Sequence, residues 1–168
     1  MESPILCAAD TMNFWIEGKR SELLQTLREV DMLVINDAEA RMLAEESSLP
    51  KAARKIRDLG PRSVIVKRGE YGVALFGEED TFAAPAFPLE DVLDPTGAGD
   101  SFAGALMGYL SSPEAADKSS FESLRTAVAY GTVVASFAVA DFSLKGLTSI
   151  TKSDIDNRFE TLRKITQF

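Results

Sequence analysis

Short apolar runs alternating with amphipathic segments predict an α/β protein, with a largely parallel sheet and one antiparallel hairpin. Two observations carry this. Apolar runs of strand length at Ile5–Ala9, Met32–Ile35 and Ser63–Lys67 are separated by segments whose apolar residues recur at helical spacing. Then Val73–Phe76 and Thr81–Ala84 flank Gly77-Glu78-Glu79-Asp80, a turn sequence between two strands.

Taken in order, Ile5–Ala9 reads as a buried strand ending in Asp10-Thr11-Met12-Asn13. Polar groups there stand where α/β sheets bind ligands, although an Asx turn accounts for them equally well. Ser21 is the predicted cap of a helix that presents Leu23, Leu24, Leu27 and Val30 on one face. Met32–Ile35 is the next strand and ends on Asn36, after which Asp37 and Glu39 open a helix with Met42 and Leu43 on its apolar side. Lys51–Leu59 is an amphipathic helix stopped by Gly60-Pro61. Ser63–Lys67 leads into a turn containing Gly69 and Gly72. These glycines either permit the turn or let a ligand lie against the backbone. A further strand is expected to end at Asp94, followed by a glycine turn and a helix. Ser111-Ser112-Pro113 breaks that helix, Glu114–Ser120 is a polar loop, and Phe121 to about Val139 is a long apolar helix. Asp141–Leu147 is a loop, and Lys152–Ile165 is a last helix for which Ser153 is the candidate cap.

Composition narrows the function. A chain of 168 residues is one domain by default and large enough for a sizeable core. Its formal charge of −8 argues against nucleic acid or an anionic membrane as main partner, since both require basic surface. The longest apolar stretch, Ala127–Ala140, is interrupted by Tyr130, Thr132 and Ser136 and is too short to span a bilayer. Met1-Glu2-Ser3-Pro4 has no basic segment before an apolar run, so no signal peptide is expected. Cys7 is the single cysteine, which fits a reducing, cytoplasmic setting. With no histidine in the chain, Ser-His-Asp hydrolysis, histidine bases and histidine-ligated metals are excluded.

The chemistry concentrates in Leu93-Asp94-Pro95-Thr96-Gly97-Ala98-Gly99-Asp100-Ser101-Phe102. The small side chains from Thr96 to Gly99 let a ligand approach the backbone, and Phe102, Ala105, Leu106, Tyr109 and Leu110 mark the helix that follows. The first amides of that helix have no internal partner and form an anion site by geometry and by dipole. Asp100 is either a helix cap or, beside a bound anion, the base that deprotonates a group attacking it. Asn36 and Glu39, three residues apart, also allow two readings. They form a capping-box variant, or they hold a phosphate or a hydrated Mg²⁺ at a strand's carboxyl end. No Gly-x-x-x-x-Gly-Lys-Ser/Thr is present, and Gly97-x-Gly99 lacks the third glycine of a dinucleotide fingerprint.

These residues resemble a known family. The run from Asp94 to Ala105 is similar to the second signature of the ribokinase-like (PfkB) carbohydrate kinases. Asn36-Asp37-Ala38-Glu39 resembles the family's Asn-x-x-Glu element, and Val66–Gly72 resembles the strand and glycine turn that line its ATP site. The resemblance implies a ribokinase-like three-layer α/β/α fold and an ATP-dependent kinase acting on a hydroxymethyl of a sugar or nucleoside. It implies Asp100 as general base and the amides of Gly97, Ala98 and Gly99 as anion hole. Asn36, Glu39, Lys67, Gly69, Gly72 and Thr96 fall on positions that bind the nucleotide, with Glu39 reaching Mg²⁺ through water. Asp94 matches a position that helps hold K⁺ in cation-activated members. The Asp141–Gly146 loop lies where the other cation ligands would be, with a spacing that departs from the family's.

The resemblance covers only the C-terminal half of the family's domain, so residues 1–168 are expected to be a partial kinase domain without the N-terminal half and lid. That implies an exposed sheet edge, and either homodimerisation or association with the missing half. A non-catalytic nucleotide-binding or interaction module is the alternative to a kinase. The acceptor is not legible.

Overall fold

The computed structural model describes residues 5–167. They cluster into two compact units, one formed by the residues up to Arg68 with Val73–Ala83, the other by Gly69–Gly72 with the residues from Ala84 onward.

The first unit is built on one sheet with strand order β1 (Ala8–Asp10), β2 (Met32–Asn36), β3 (Ser63–Lys67), β4 (Val73–Phe76) and β5 (Thr81–Ala84). Two helical crossovers, α1 (Asn13–Gly18) with α2 (Arg20–Leu27), and α3 (Asp37–Ala44) with α4 (Leu49–Arg57), make β1, β2 and β3 parallel. The Arg68–Gly72 link is too short for a crossover, so β4 returns antiparallel to β3. The antiparallel part of the sheet therefore begins one strand earlier than the turn at Gly77–Asp80 alone predicts. That turn is closed by the Gly77 N–H on the Asp80 carbonyl at 2.9 Å.

Both faces of the central strands are buried, which is why they read as unbroken apolar runs. Leu33, Ile35, Val64 and Val66 join Leu23, Leu27, Leu43 and Ile56 in one hydrophobic cluster. Met32, Val34 and Ile65, alternating with them, are equally inaccessible. Gly60, at φ +150°, lets the chain pass beside α2, because a Cβ there would lie 2.1 Å from the Leu27 carbonyl oxygen.

Several local expectations are corrected. The first strand is Ala8–Asp10, later than expected, and Ile5 is exposed. The backbone of Cys7 is instead tied to Asp31, whose Oδ2 accepts the Cys7 N–H at 2.9 Å. Helix α1 is not legible in the sequence, since Phe14 and Trp15 are exposed and give it no buried stripe beyond Ile16. Ser21 does not cap α2. The cap position is Lys19, and the Ser21 hydroxyl bonds to Glu22 at 2.6 Å. Helix α4 starts at Leu49, with Pro50 in its first turn where a missing N–H costs nothing.

The second unit contains α5 (Ala98–Ser111), α6 (Phe121–Val139), α7 (Lys145–Thr148) and α8 (Lys152–Thr166). Helices α5 and α6 approach closely because Gly131 has no side chain. A Cβ there would lie 2.8 Å from the Phe102 ring. The Arg158 guanidinium lies 3.4 Å from the Phe137 ring centroid and donates to Ser136 Oγ at 3.0 Å, fastening α8 to α6. Thr151, rather than Ser153, caps α8 in a capping box with Asp154, and α7 occupies part of the expected loop.

Tyr130 is a packing residue of this unit. Its ring stacks on Tyr109 at 4.9 Å and on Phe159 at 4.4 Å, and its hydroxyl donates to Asp156 at 3.1 Å. Burial, reinforced by Asp156, pushes its pKa up to about 12. The folded value lies above the usual one, so the stability linked to this phenol is complete below about pH 10 and is lost as pH rises toward 12. A tyrosinate absorbance titration compared with Tyr130→Phe is expected to show this phenol ionising near pH 12.

No strand precedes Asp94, against expectation. Pro85, Pro88 and Pro95 remove donors from the segment, and Val92 and Leu93 are exposed. The Leu93 N–H bonds to the Val139 carbonyl at 2.9 Å, so the last turn of α6 fixes this segment instead of a sheet. Among the described residues, no helix is long and apolar enough to cross a membrane.

Candidate active site

Apart from Gly69 and Gly72, the predicted site residues fall into two clusters, each built within one unit. The first stands at the carboxyl ends of β1, β2 and β3, where Asp10, Asn36 and Lys67 are the last strand residues. Asn36 and Lys67 are register partners. The capping box is real: Asn36 Oδ1 accepts the Glu39 N–H at 2.8 Å, and Glu39 Oε2 accepts the Asn36 N–H at 3.2 Å. Glu39 is nearly inaccessible, so its carboxylate is held in place before any ligand arrives. The Lys67 ammonium reaches across β2 to Asp10 Oδ2 at 3.2 Å. Replacing Asn36 by Ala removes the cap and is expected to cost about 0.5–2 kcal/mol, measurable by urea denaturation against Glu39→Gln, which keeps the Asn36 side of the box.

Gly69 and Gly72 differ in character. At Gly69, φ is +55° and an added Cβ would meet no heavy atom within 4 Å, so its backbone is open to a ligand. Gly72, at φ +84°, is a packing glycine: a Cβ would lie 2.0 Å from the Ala84 carbonyl oxygen.

The second cluster is the Asp94–Asp100 turn. Asp94 Oδ1 accepts the Thr96 N–H at 3.0 Å, and Oδ2 accepts the Ser143 N–H at 3.4 Å. These bonds, the first above all, hold its pKa below the ordinary aspartate value. The second bond brings the Asp141–Gly146 loop to Asp94, a proximity that spacing alone does not fix. Gly97, at φ +78°, takes the N-cap position of α5, and nothing lies within 4 Å of where its Cβ would be.

The amides of this turn are not equivalent. The Ala98 N–H bonds to the Pro95 carbonyl at 3.2 Å, and the Ser101 N–H to the Gly97 carbonyl at 2.9 Å. Among the described residues, no bond within the chain occupies the N–H groups of Gly97, Gly99 or Asp100. Asp100 lies in the first turn of α5 and is exposed, with no side-chain capping bond, so it is not the helix cap. A free carboxylate and open amides share one helical turn.

Residues 8–149 match the model of the pfkB family of carbohydrate kinases. The chain belongs to that family. It is 37% identical over 94 residues to a cytidine kinase of Thermococcus kodakarensis, covering 54% of this chain and 34% of that protein. Against a nucleoside kinase of Methanothermobacter thermautotrophicus it is 29% identical over 148 residues, covering 88% of this chain and 41% of the other. A solved ribokinase-type structure from E. coli, in complex with ATP and Mg²⁺, superposes with a TM-score of 0.67 at 25% identity, covering 90% of this chain and 45% of that one. The fold is thus ribokinase-like α/β. This pfkB chain spans less than half the length of these relatives.

Proposed function

We propose that this pfkB chain is the nucleotide-binding and phosphoryl-transferring part of an ATP-dependent kinase whose acceptor is a hydroxymethyl group of a nucleoside or sugar. The observation that carries the reading is the start of α5, where the open amides of Gly97 and Gly99 and the uncommitted carboxylate of Asp100 occupy one turn. Phosphoryl transfer asks a protein mainly for positioning and for stabilisation of charge on the transferring group. A helix N-terminus with unpaired amides supplies the second.

Each unit by itself carries groups that suit ATP with Mg²⁺. Gly97 and Gly69 leave backbone approachable, Lys67 supplies a cation, and Asn36 and Glu39 supply oxygen ligands at a strand end. In this reading Asp100 accepts the proton of the attacking hydroxyl, and the N–H groups of Gly97, Ala98 and Gly99 face the transferring group. Ala98 does so only by sharing its N–H with Pro95. Thr96, Lys67, Gly69 and Gly72 are the nucleotide-binding residues of this reading, with Gly72 acting through the shape of its turn. Mg²⁺, when bound, would neutralise charge on the phosphates, and in this reading Glu39 would meet its hydration shell. Asp94, with both oxygens engaged by backbone N–H groups, stays anionic and suits a monovalent cation. The lone cysteine, Cys7, accords with a reducing, cytoplasmic setting.

The test is ADP release from ATP and Mg²⁺ across a panel of nucleosides and sugars. Acceptor-dependent release supports the kinase reading. Nucleotide binding by calorimetry with no turnover on any acceptor would replace it with a binding module.

A further inference from the structure

The Lys67–Asp10 ion pair is not part of the family resemblance, and it joins the outermost and the third parallel strand over the end of β2. We infer that Asp10 is the resident counter-ion of Lys67 and sets how tightly the site holds a nucleotide's phosphates, which must take the ammonium away from it. The inference rests on the kinase reading above, because it assumes that a nucleotide phosphate is the competing anion.

Three features point this way. Asp10 is anchored independently of the lysine, since its Oδ1 accepts the Thr11 N–H at 2.8 Å while Oδ2 takes the ammonium. The carboxylate is therefore fixed, and the long lysine chain is the mobile partner. Among the described residues, Asp10 is the one partner of the Lys67 ammonium. Finally, the pair is accessible, the two side chains being 22% and 40% exposed, so an anion can reach it without unfolding the strand ends. An ammonium engaged by a fixed carboxylate is partly neutralised toward any other anion.

Its affinity effect is that of a partly exposed ion pair, roughly two- to fivefold. The experiment is calorimetric titration of the full chain with ADP and Mg²⁺. Asp10→Asn, which keeps the oxygen that holds Thr11, is expected to tighten binding by that factor. Asp10→Ser, neutral and shorter, is expected to do the same, which separates loss of charge from any distortion by the amide. Lys67→Met is expected to weaken binding and to abolish the gain when combined with Asp10→Asn, as for residues coupled directly. If wild type binds ADP but neither Asp10 variant tightens it, Asp10 has no such role. Tightening that persists in the Lys67→Met background also overturns the assignment, since the carboxylate would then act on phosphate without the lysine. If wild type and Lys67→Met alike fail to bind ADP, the kinase reading itself falls and takes this inference with it.

Discussion

Asp100→Asn is expected to lower acceptor-dependent ADP release by about 10²–10⁴-fold, the usual worth of a general base, with nucleotide affinity nearly unchanged. The substitution is close to isosteric and removes the one property the proposal needs, a lone pair basic enough to take a proton. It disturbs little else, because Asp100 is exposed and makes no capping bond. Losing a carboxylate from the first turn of α5 costs about 0.3–1 kcal/mol through the helix dipole, too little to unfold the unit. A large fall in turnover with an intact melting profile therefore separates a base from a residue that merely suits a helix start. Turnover that survives the change would return Asp100 to that structural role.

Gly72→Ala is expected to produce the largest loss of stability among the glycines of the Arg68–Gly72 link. Two costs coincide there. A side chain at φ +84° sits in the left-handed region, and its Cβ would fall 2.0 Å from the Ala84 carbonyl oxygen and 2.6 Å from the Pro85 carbonyl carbon. These are backbone atoms, so no rotamer change relieves the overlap. Left-handed strain of about 1 kcal/mol and overpacking of about 1–3 kcal/mol combine to roughly 2–4 kcal/mol. For a chain of this size, that corresponds to a fall in Tm of very roughly 5–15 °C. Gly69→Ala is the control, since φ is +55° with open space around it, and only the strain cost of about 1 kcal/mol applies. Differential scanning calorimetry of the two variants decides the matter. Equal losses would mean that the close approach of Gly72 to Ala84 relaxes freely.

Strand identities are largely legible because buried strands carry a signal in composition alone. Ser63–Lys67, Val73–Phe76 and Thr81–Ala84 lie where their apolar and β-branched runs put them. The long helix likewise spans Phe121–Val139 as its apolar pattern predicts. Caps are less legible. Thr148, Ser149, Thr151 and Ser153 all stand near the start of α8, and the geometry of the incoming chain chooses Thr151 among them. The strand expected before Asp94 fails for a different reason. Apolar residues at Val92 and Leu93 resemble a strand end, but three prolines in the segment leave it few donors, and the Val139 carbonyl takes the Leu93 N–H.

The two readings of Asn36 and Glu39 illustrate what spacing cannot separate. A capping box and an oxygen-ligand pair require the same residues three positions apart, and the structure shows the box formed with Glu39 buried. At Asp100 the reverse holds. Its position allows a cap, and the structure gives the cap position to Gly97, leaving the carboxylate unengaged.

By itself the sequence determined the α/β class, the places of the central strands and of the long helix, and the run from Asp94 to Ala105 that ties the chain to the pfkB family. These are properties of neighbouring residues, set by periodicity, turn chemistry and a long contiguous motif. Only the tertiary structure decided the approach of Ser143 to Asp94, the pairing of Lys67 with Asp10, and the hold of the Val139 carbonyl on the Leu93 N–H. Each of these depends on which distant groups compete for the same hydrogen-bond donor, acceptor or charge. That competition is settled by packing in space, and no local pattern in the chain records it.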